Sequence, residues 1–367
     1  MKGGNMKVRY RDLRVDDPVM KKELIKAVDK VLTHGQIILG PEVEEFEGLI
    51  ADYCKKKHAV GVGCGTDALY LALKALGVGV GDEVITTPLS WIATLNAIVL
   101  TGATPVFVDI GKDLNINPDS IPAAITPKTK AIVPVHFTGR ICKMDKIMRI
   151  AKKNKLFVVE DAAQAFGAKL KGTMAGSFGE IGCFSMNAMK VFCSYGEAGA
   201  MVTDNTDLYE KLVSFRYNGT INKEDCHTPS INARIDTVQA AMMNVNLRYL
   251  EKRMQRLREI AKYYNENLKN IVICPLEDDS YHIYYSYTIL IENRKELMEY
   301  LQKKGIEIKI QHPILMPYHT AFRHKYPKYE LPVAEKLVDQ ILCIPNHDKL
   351  RDEEVEYVAT AIKEFYK

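Results

Sequence analysis

The 367-residue sequence predicts an α/β protein, with a mostly parallel central sheet sandwiched by helices and a smaller α/β domain at the C-terminal end. Three observations predict it. Between residues 58 and 204 short apolar runs alternate with helical stretches, the pattern of βαβ units whose parallel strands are buried on both faces. The length exceeds what one core usually reaches, so a large domain (residues 1–245) and a small one (residues 246–367) are expected. Adjacent acids and glycine-rich turns follow several of the apolar runs, at the edge where open α/β sheets bind ligands.

The elements follow in order. Residues 15–33 carry Val19, Leu24, Val28 and Leu32 at helical spacing behind an Asp-Asp-Pro start. HGQIILG is an extended loop containing Gln36, and a second helix follows with Pro41 in its first turn. A strand at 58–62 runs into Gly63-Cys64-Gly65-Thr66 and then a helix bearing Leu69, Leu71, Leu73 and Leu76. Glycines let backbone approach an anion, and amides at a helix start point towards it, so this is a candidate phosphate site using Gly65 and Thr66. It has neither the full GxGxxG nor a Walker lysine, which weakens dinucleotide and nucleotide triphosphate readings. Residues 81–110 give strand, loop, helix and strand, with the single tryptophan, Trp91, in the loop and Asp109 at the end as a turn or cap residue. TKAIVPVHFTG is a buried strand and loop, followed by the helix CKMDKIMRIAKKN. Its His136 suits a hydrogen-bonded structural role.

The richest stretch is 157–200. A buried strand ends in Glu160 and Asp161, with a helix expected from about Ala162 that carries Gln164 one turn after Asp161. A second strand, 181–186, delivers Ser185, Asn187 and Lys190. An amine, a carboxylate and a hydroxyl converging on one sheet edge suit pyridoxal 5'-phosphate. That cofactor needs an amine for its aldehyde, a carboxylate for its ring nitrogen and donors for its phosphate. Lys190 supplies the first, Asp161 the second and Ser185 part of the third. Phe184, Met186, Met189, Val191 and Phe192 surround the lysine with apolar groups, which favours its uncharged form. Beyond the turn GEAGAMVTDN, Asn232-Ala-Arg234 precedes a helix with Val238, Ala241 and Met242, and a long charged helix leads to the last third. There IVICP, YYSYTILIEN and IEIKIQHPI are expected strands, with helices at 294–304 and 333–341 and a loop holding His312 and Tyr318.

EDAAQAFGA, GSFGEIGCFS, the lysine shortly after its serine, and GEAGAMVTD together resemble the DegT/DnrJ/EryC1/StrS family of sugar aminotransferases. The similarity runs in order from HGQIILGPEVEEFE to LPVAEKLVDQILCIPNH. One departure is visible: this family commonly has an aromatic or histidine and then proline between serine and lysine, where this chain has Met-Asn-Ala-Met. The resemblance implies fold type I of the pyridoxal-phosphate enzymes. It makes Trp91 the ring-stacking aromatic, brings Gln164 near the ring hydroxyl, and sends Asn232 across a twofold axis to the partner's cofactor phosphate. A homodimer with shared active sites is thereby expected. It further implies substrate contacts from Gln36, Asn187, His312 and Tyr318, and transfer of an amino group from L-glutamate to a nucleotide-linked keto-sugar. Gly65-Thr66-Asp67-Ala68-Leu69 looks more like members that aminate C3 than C4. A dehydratase branch replaces the lysine with histidine, and Lys190 stands against it. A small phosphorylated ketone as acceptor, and a non-catalytic ligand sensor that keeps the fold, are the other readings.

Composition bounds the rest. Apolar residues at 47% and charged at 26% are ordinary for a soluble chain, and a net charge of +4 with dispersed lysines gives no footprint for nucleic acid. Apolar runs are too short for a membrane span, and MKGGNMKVRY lacks the apolar core of a signal peptide, so a cytoplasmic location is expected. The eight cysteines form no CxxC pair and no zinc or iron–sulfur spacing, so mostly buried free thiols and no metal are expected, with Cys64 and Cys193 near the cofactor.

Overall fold

The computed structural model describes residues 6–222, 224–327 and 329–367. Seven strands form the central sheet: β1 (His58–Val62), β2 (Glu83–Thr86), β3 (Thr104–Phe107), β4 (Thr129–Val133), β5 (Phe157–Asp161), β6 (Ile181–Ser185) and β7 (Gly199–Thr203). Their spatial order is β1-β7-β6-β5-β4-β2-β3, and β7 alone runs antiparallel to its neighbours. The strand centres are apolar because both faces are covered. Val158, Ile132, Ile85 and Phe184 pack into one core, while Val159, Val133, Val84 and Cys183 pack into the other. The helices that cover the sheet begin with α1 (Pro18–His34), α2 (Pro41–Cys54), α3 (Gly65–Ala75), α4 (Ile92–Leu100), α5 (Met144–Asn154), α6 (Thr206–Phe215) and α7 (Thr237–Leu247). α3 and α6 lie on one face through Leu71, Ala72, Leu212 and Phe215; α2 and α5 lie on the other through Phe46, Ile50 and Ile147. Asp17 caps α1, its Oδ1 accepting from the Val19 and Met20 amides.

The long helix α8 (Leu250–Leu268) leads into a smaller core with α9 (Arg294–Lys303) and α11 (Asp352–Phe365) over the strands β8 (Tyr287–Leu290) and β9 (Ile341–Ile344). These two strands pair antiparallel. Val8 of the N-terminal segment belongs to this core and bridges Ile306. The segment 306–314, expected as a strand, makes only single bridges, Ile306 to Val8 and Lys309 to Cys343. IVICP likewise pairs only through Ile273 and Leu290. The expected helix 333–341 is shorter, α10 (Pro332–Val338), and Ile341 instead opens β9. No helix follows Asp161: residues 162–168 form turns, with the Ala162 amide donating to the Cys183 carbonyl of β6 and the Ala165 and Ala168 amides to the carbonyls three residues back, all at 2.9 Å. All eight cysteines are free thiols, of which Cys54, Cys142, Cys183 and Cys343 are buried, Cys64, Cys193 and Cys274 half-buried and Cys226 exposed.

A fourth apolar cluster joins the two parts. Leu315 and Met316 from the loop after α9 pack with Leu89, Leu95 and Phe107 of the sheet edge, and the Met316 amide donates to the Pro88 carbonyl at 2.8 Å. Asp109 completes the join: its two carboxylate oxygens accept from the Val333 and Ala334 amides at the start of α10, both at 2.9 Å. Among the described residues no helix is long and apolar enough to cross a membrane.

Candidate active site

β5 sets Asp161 at the sheet edge with only 3% of the residue exposed. Its Oδ2 accepts from the Thr94 hydroxyl at 2.7 Å and its Oδ1 from the Ala163 amide at 3.2 Å. Burial pushes this carboxyl above its ordinary value, while Thr94, the Ala163 amide and the charge of Lys190 pull it back. A buried carboxylate held by neutral donors is half of an ion pair, and its counterpart would be a cation arriving from outside the chain.

The preceding residue, Glu160, is wholly buried and points elsewhere. Its Oε1 accepts from the Phe178 and Gly179 amides at 2.6 and 2.7 Å, and its Oε2 from the Gly176 amide and His136 Nε2 at 2.8 and 2.9 Å. The Cys142 amide donates to His136 Nδ1 at 3.2 Å, which assigns the proton to Nε2, the nitrogen that donates to Glu160. This clamp holds the GSFGEIG turn against β5. The turn is so close that a Cβ on Gly182 would lie 2.0 Å from the Gly176 carbonyl oxygen.

β6 ends at Ser185 beside the start of α3, where a Cβ on Gly65 would meet the Ser185 Cβ at 2.6 Å. The half-buried Thr66 follows on the first turn of α3. The helix start, with its amides and dipole, and the Ser185 hydroxyl therefore converge on one point. After Ser185 the chain makes a compact loop, with Met186 and Ala188 amides donating to the Ala198 and Gly196 carbonyls at 2.8 and 3.0 Å. Asn187 builds the turn that carries Lys190: its Oδ1 accepts from the Met189 amide at 2.9 Å, its carbonyl from the Lys190 amide at 2.8 Å, and its Nδ2 donates to Glu197 at 2.5 Å. Lys190 is half-buried, with its Nζ 4.8 Å from the centroid of the Tyr285 ring. A groove of about 870 Å³ runs past Lys190 between Arg11, Tyr195, Arg253 and His347, but Asp161, Thr66 and Trp91 do not line it.

Trp91 presents an indole 61% exposed at the start of α4. His312 leans on it, ring centroids 5.7 Å apart, and on Phe137 at the same distance. Burial, and then the charges of Lys190 and Lys309, push the His312 imidazole down to about 3, so it is neutral at ordinary pH. Gln164, one turn of loop from Asp161, uses its Oε1 to accept from the Thr138 amide at 2.9 Å and from Gln311 Nε2 at 3.1 Å.

The structure thus gathers Asp161, Lys190, Ser185, Gly65, Thr66, Trp91, Gln164 and His312 along one edge. Tyr318 is directed away, its hydroxyl donating to Glu335 of α10. Gln36 is exposed on the loop after α1, and its amide donates to His34 Nδ1 at 3.1 Å. Asn232 is exposed too, accepting from Arg234 Nε at 2.7 Å beside the end of β1. Thr94, Gln311 and Tyr285 went unnoticed in the sequence, for each acts on a residue far along the chain, and Glu160 was seen only as the acid beside Asp161. The set fits pyridoxal phosphate in its donors: an amine, a buried carboxylate lacking a cation, an uncovered indole face, and a helix start beside a hydroxyl.

These features define a transaminase of the fold type I architecture. The family model described as the DegT/DnrJ/EryC1/StrS aminotransferase family matches residues 18–363, and the chain belongs to that family. It is accordingly a pyridoxal-phosphate-dependent transaminase. A dTDP-3-amino-3,6-dideoxy-alpha-D-galactopyranose transaminase of Aneurinibacillus thermoaerophilus is 36% identical, covering 98% of this chain and 99% of its own length. A pleiotropic regulatory protein of Geobacillus stearothermophilus is 38% identical, covering 99% of each chain. Among solved structures, NtdA of Bacillus subtilis with bound cofactor PMP is 30% identical, with a TM-score of 0.91, covering 99% of this chain and 86% of that one.

Proposed function

We propose that this transaminase moves an amino group from L-glutamate to C3 of a nucleotide-linked keto-sugar, in deoxyamino-sugar biosynthesis for a surface polysaccharide or glycan. The observation that carries the reading is the pairing of a buried, cation-seeking Asp161 with Lys190 at the same sheet edge. The cofactor, when bound, supplies the electron sink that lets a proton leave the Cα of an amino acid. Asp161 keeps the charge on the ring nitrogen. The start of α3, through Gly65 and Thr66, and the Ser185 hydroxyl hold the phosphate, and Trp91 covers one ring face. Gln164 orients the ring hydroxyl. Lys190 would anchor the cofactor covalently and its Nζ would carry the proton; the loop built by Asn187 sets where that nitrogen can reach. Neutral His312 beside Trp91 offers a hydrogen bond to a sugar hydroxyl without adding charge, with Gln36 further out along the substrate path, while Tyr318, bonded to Glu335, steadies the loop.

The C3 assignment is supported by Gly65-Thr66-Asp67-Ala68-Leu69 and by the relative whose name specifies a 3-amino sugar. The open, apolar faces of Ile37, Ile38 and Ile231, all exposed, support a second copy of the chain covering this edge and bringing its Asn232 to the phosphate.

Purified protein incubated with L-glutamate and a panel of nucleotide keto-sugars is expected to release 2-oxoglutarate. K190A should abolish the borohydride-reducible absorbance of bound cofactor. Retained colour with no keto-sugar turned over would favour a small phosphorylated ketone as acceptor, and amination at C4 would show in the product's NMR spectrum. A protein that takes up cofactor but moves no amino group at all would favour a ligand sensor, the reading suggested by the regulatory name of the Geobacillus relative.

A further inference from the structure

The amine that anchors the cofactor must be released in one half-reaction and recaptured in the other, and a lysine side chain has four rotatable bonds over which to wander. In this structure it has a defined place. Its Nζ stands over the face of the Tyr285 ring, 4.8 Å from the centroid, within the range of a cation–π contact. Tyr285 is itself fixed. Its carbonyl accepts from Arg11, whose guanidinium lies 5.1 Å from the same ring and also donates to the Asn346 carbonyl at 3.2 Å. Behind it, a Cβ on Gly139 would lie 2.9 Å from the Tyr285 amide nitrogen, so the segment has no room to shift towards the sheet.

We propose that the Tyr285 ring is the berth of the Lys190 ammonium whenever that amine is not covalently engaged, which makes Tyr285 a positioning residue for the group that carries the proton. The inference rests on Lys190 having the role given it above. A ring quadrupole attracts the charged amine and not the neutral one, so the berth holds the lysine after it has picked up a proton and releases it as the proton leaves. The other groups facing the pair are Asp161 of β5, His312 and Lys309 of the segment after α9, Arg11 and Tyr10 of the N-terminal segment, and Cys343 of β9. Burial works to raise the Tyr285 phenol, but the charges of Lys190, Arg11 and Lys309 outweigh it and leave the phenol below its ordinary value. The ring therefore sits in a field that the lysine helps to make.

The test begins with cofactor-free protein labelled by trinitrobenzenesulfonate at a series of pH values, the Lys190 peptide being quantified by mass spectrometry. Losing the ring frees the amine, so Y285L and Y285M should label about 2- to 30-fold faster than wild type near neutral pH, while Y285F, which keeps the ring, should stay within about twofold. In the loaded enzyme Y285L should lower kcat for the amino-donor half-reaction about tenfold with KM nearly unchanged, the mark of a mispositioned reacting group. Wild-type labelling in both Y285L and Y285M, with native circular dichroism, would overturn the proposal. Equal acceleration in Y285F would overturn it too, by assigning the effect to the phenol. The labelling needs no turnover, so its outcome is separate from that of the transaminase assay.

Discussion

Asp161 is kept in the folded chain at an energetic cost that only a bound cation removes. Its carboxyl is raised by burial, so the folded state binds a proton that the unfolded chain has already given up. Its contribution to stability is therefore fully present below about 3.9 and is lost as pH rises through the raised value. In D161N the amide can donate to Thr94 and accept from Ala163, reproducing the two present bonds without the charge. Cofactor-free D161N should be at least as stable as wild type at pH 7, by about 1–2 kcal/mol in urea unfolding, and should lose the wild type's stability decline above the acid range. Its affinity for pyridoxal phosphate should instead fall by about 2–4 kcal/mol, the scale of one partly screened ion pair, measured by cofactor titration. A variant that lost both stability and affinity would mark Asp161 as a structural group. The acid and the lysine were legible in the sequence because each ends an apolar run inside one short stretch. Thr94 was not: it bonds Asp161 from 67 positions away, on a helix whose apolar spacing gives a hydroxyl no reason to stand out.

At the scale of the element, the motif EDAAQAFGA and the motif GSFGEIG are one object, joined by Glu160. Four donors converge on that carboxylate, three of them backbone amides of the turn before β6. E160A removes all four acceptor contacts inside a closed core, and should destabilise the protein by about 3–5 kcal/mol in urea unfolding. E160Q should do less harm, because one oxygen remains to accept. Both should loosen the GSFGEIG turn, seen as faster amide exchange at Gly176, Phe178 and Gly179. The strands that frame this clamp were readable because a strand buried on both faces has no polar positions to interrupt it. The segment 306–314 misled for the opposite reason. Ile306, Ile308 and Ile310 alternate as in a strand, yet among the described residues the segment is bridged only at two isolated points, Ile306 to Val8 and Lys309 to Cys343, so the periodicity serves packing and not a ladder. The short strand β9 was hidden behind α10, whose apolar spacing runs on into Ile341 and Leu342.

In the whole molecule, the site is assembled by two unlike joins. Asp109 capping α10 and Met316 bonded to Pro88 fix the small core on the sheet edge, and so bring His312 onto Trp91. Neither join shows in local sequence, since the partners lie more than two hundred residues apart. The second join is proposed, and runs between copies. Asn232 accepts from Arg234 on an exposed segment next to Ile231, and among the described residues no hydrogen bond ties it to Lys190 or Asp161 of its own chain. If each site takes Lys190 from one subunit and Asn232 from the other, K190A and N232A chains should each be impaired alone and complement when mixed. The K190A subunit still offers its asparagine to the intact lysine of its N232A partner. Denaturing and refolding the two at equal amounts should give half heterodimers, each with one complete site of two, and so recover about a quarter of wild-type activity. Sites built within one chain would recover no more than the two variants show separately. The same mixture run through size exclusion at falling concentration ties the recovered activity to the dimer, because activity and dimer should then disappear together.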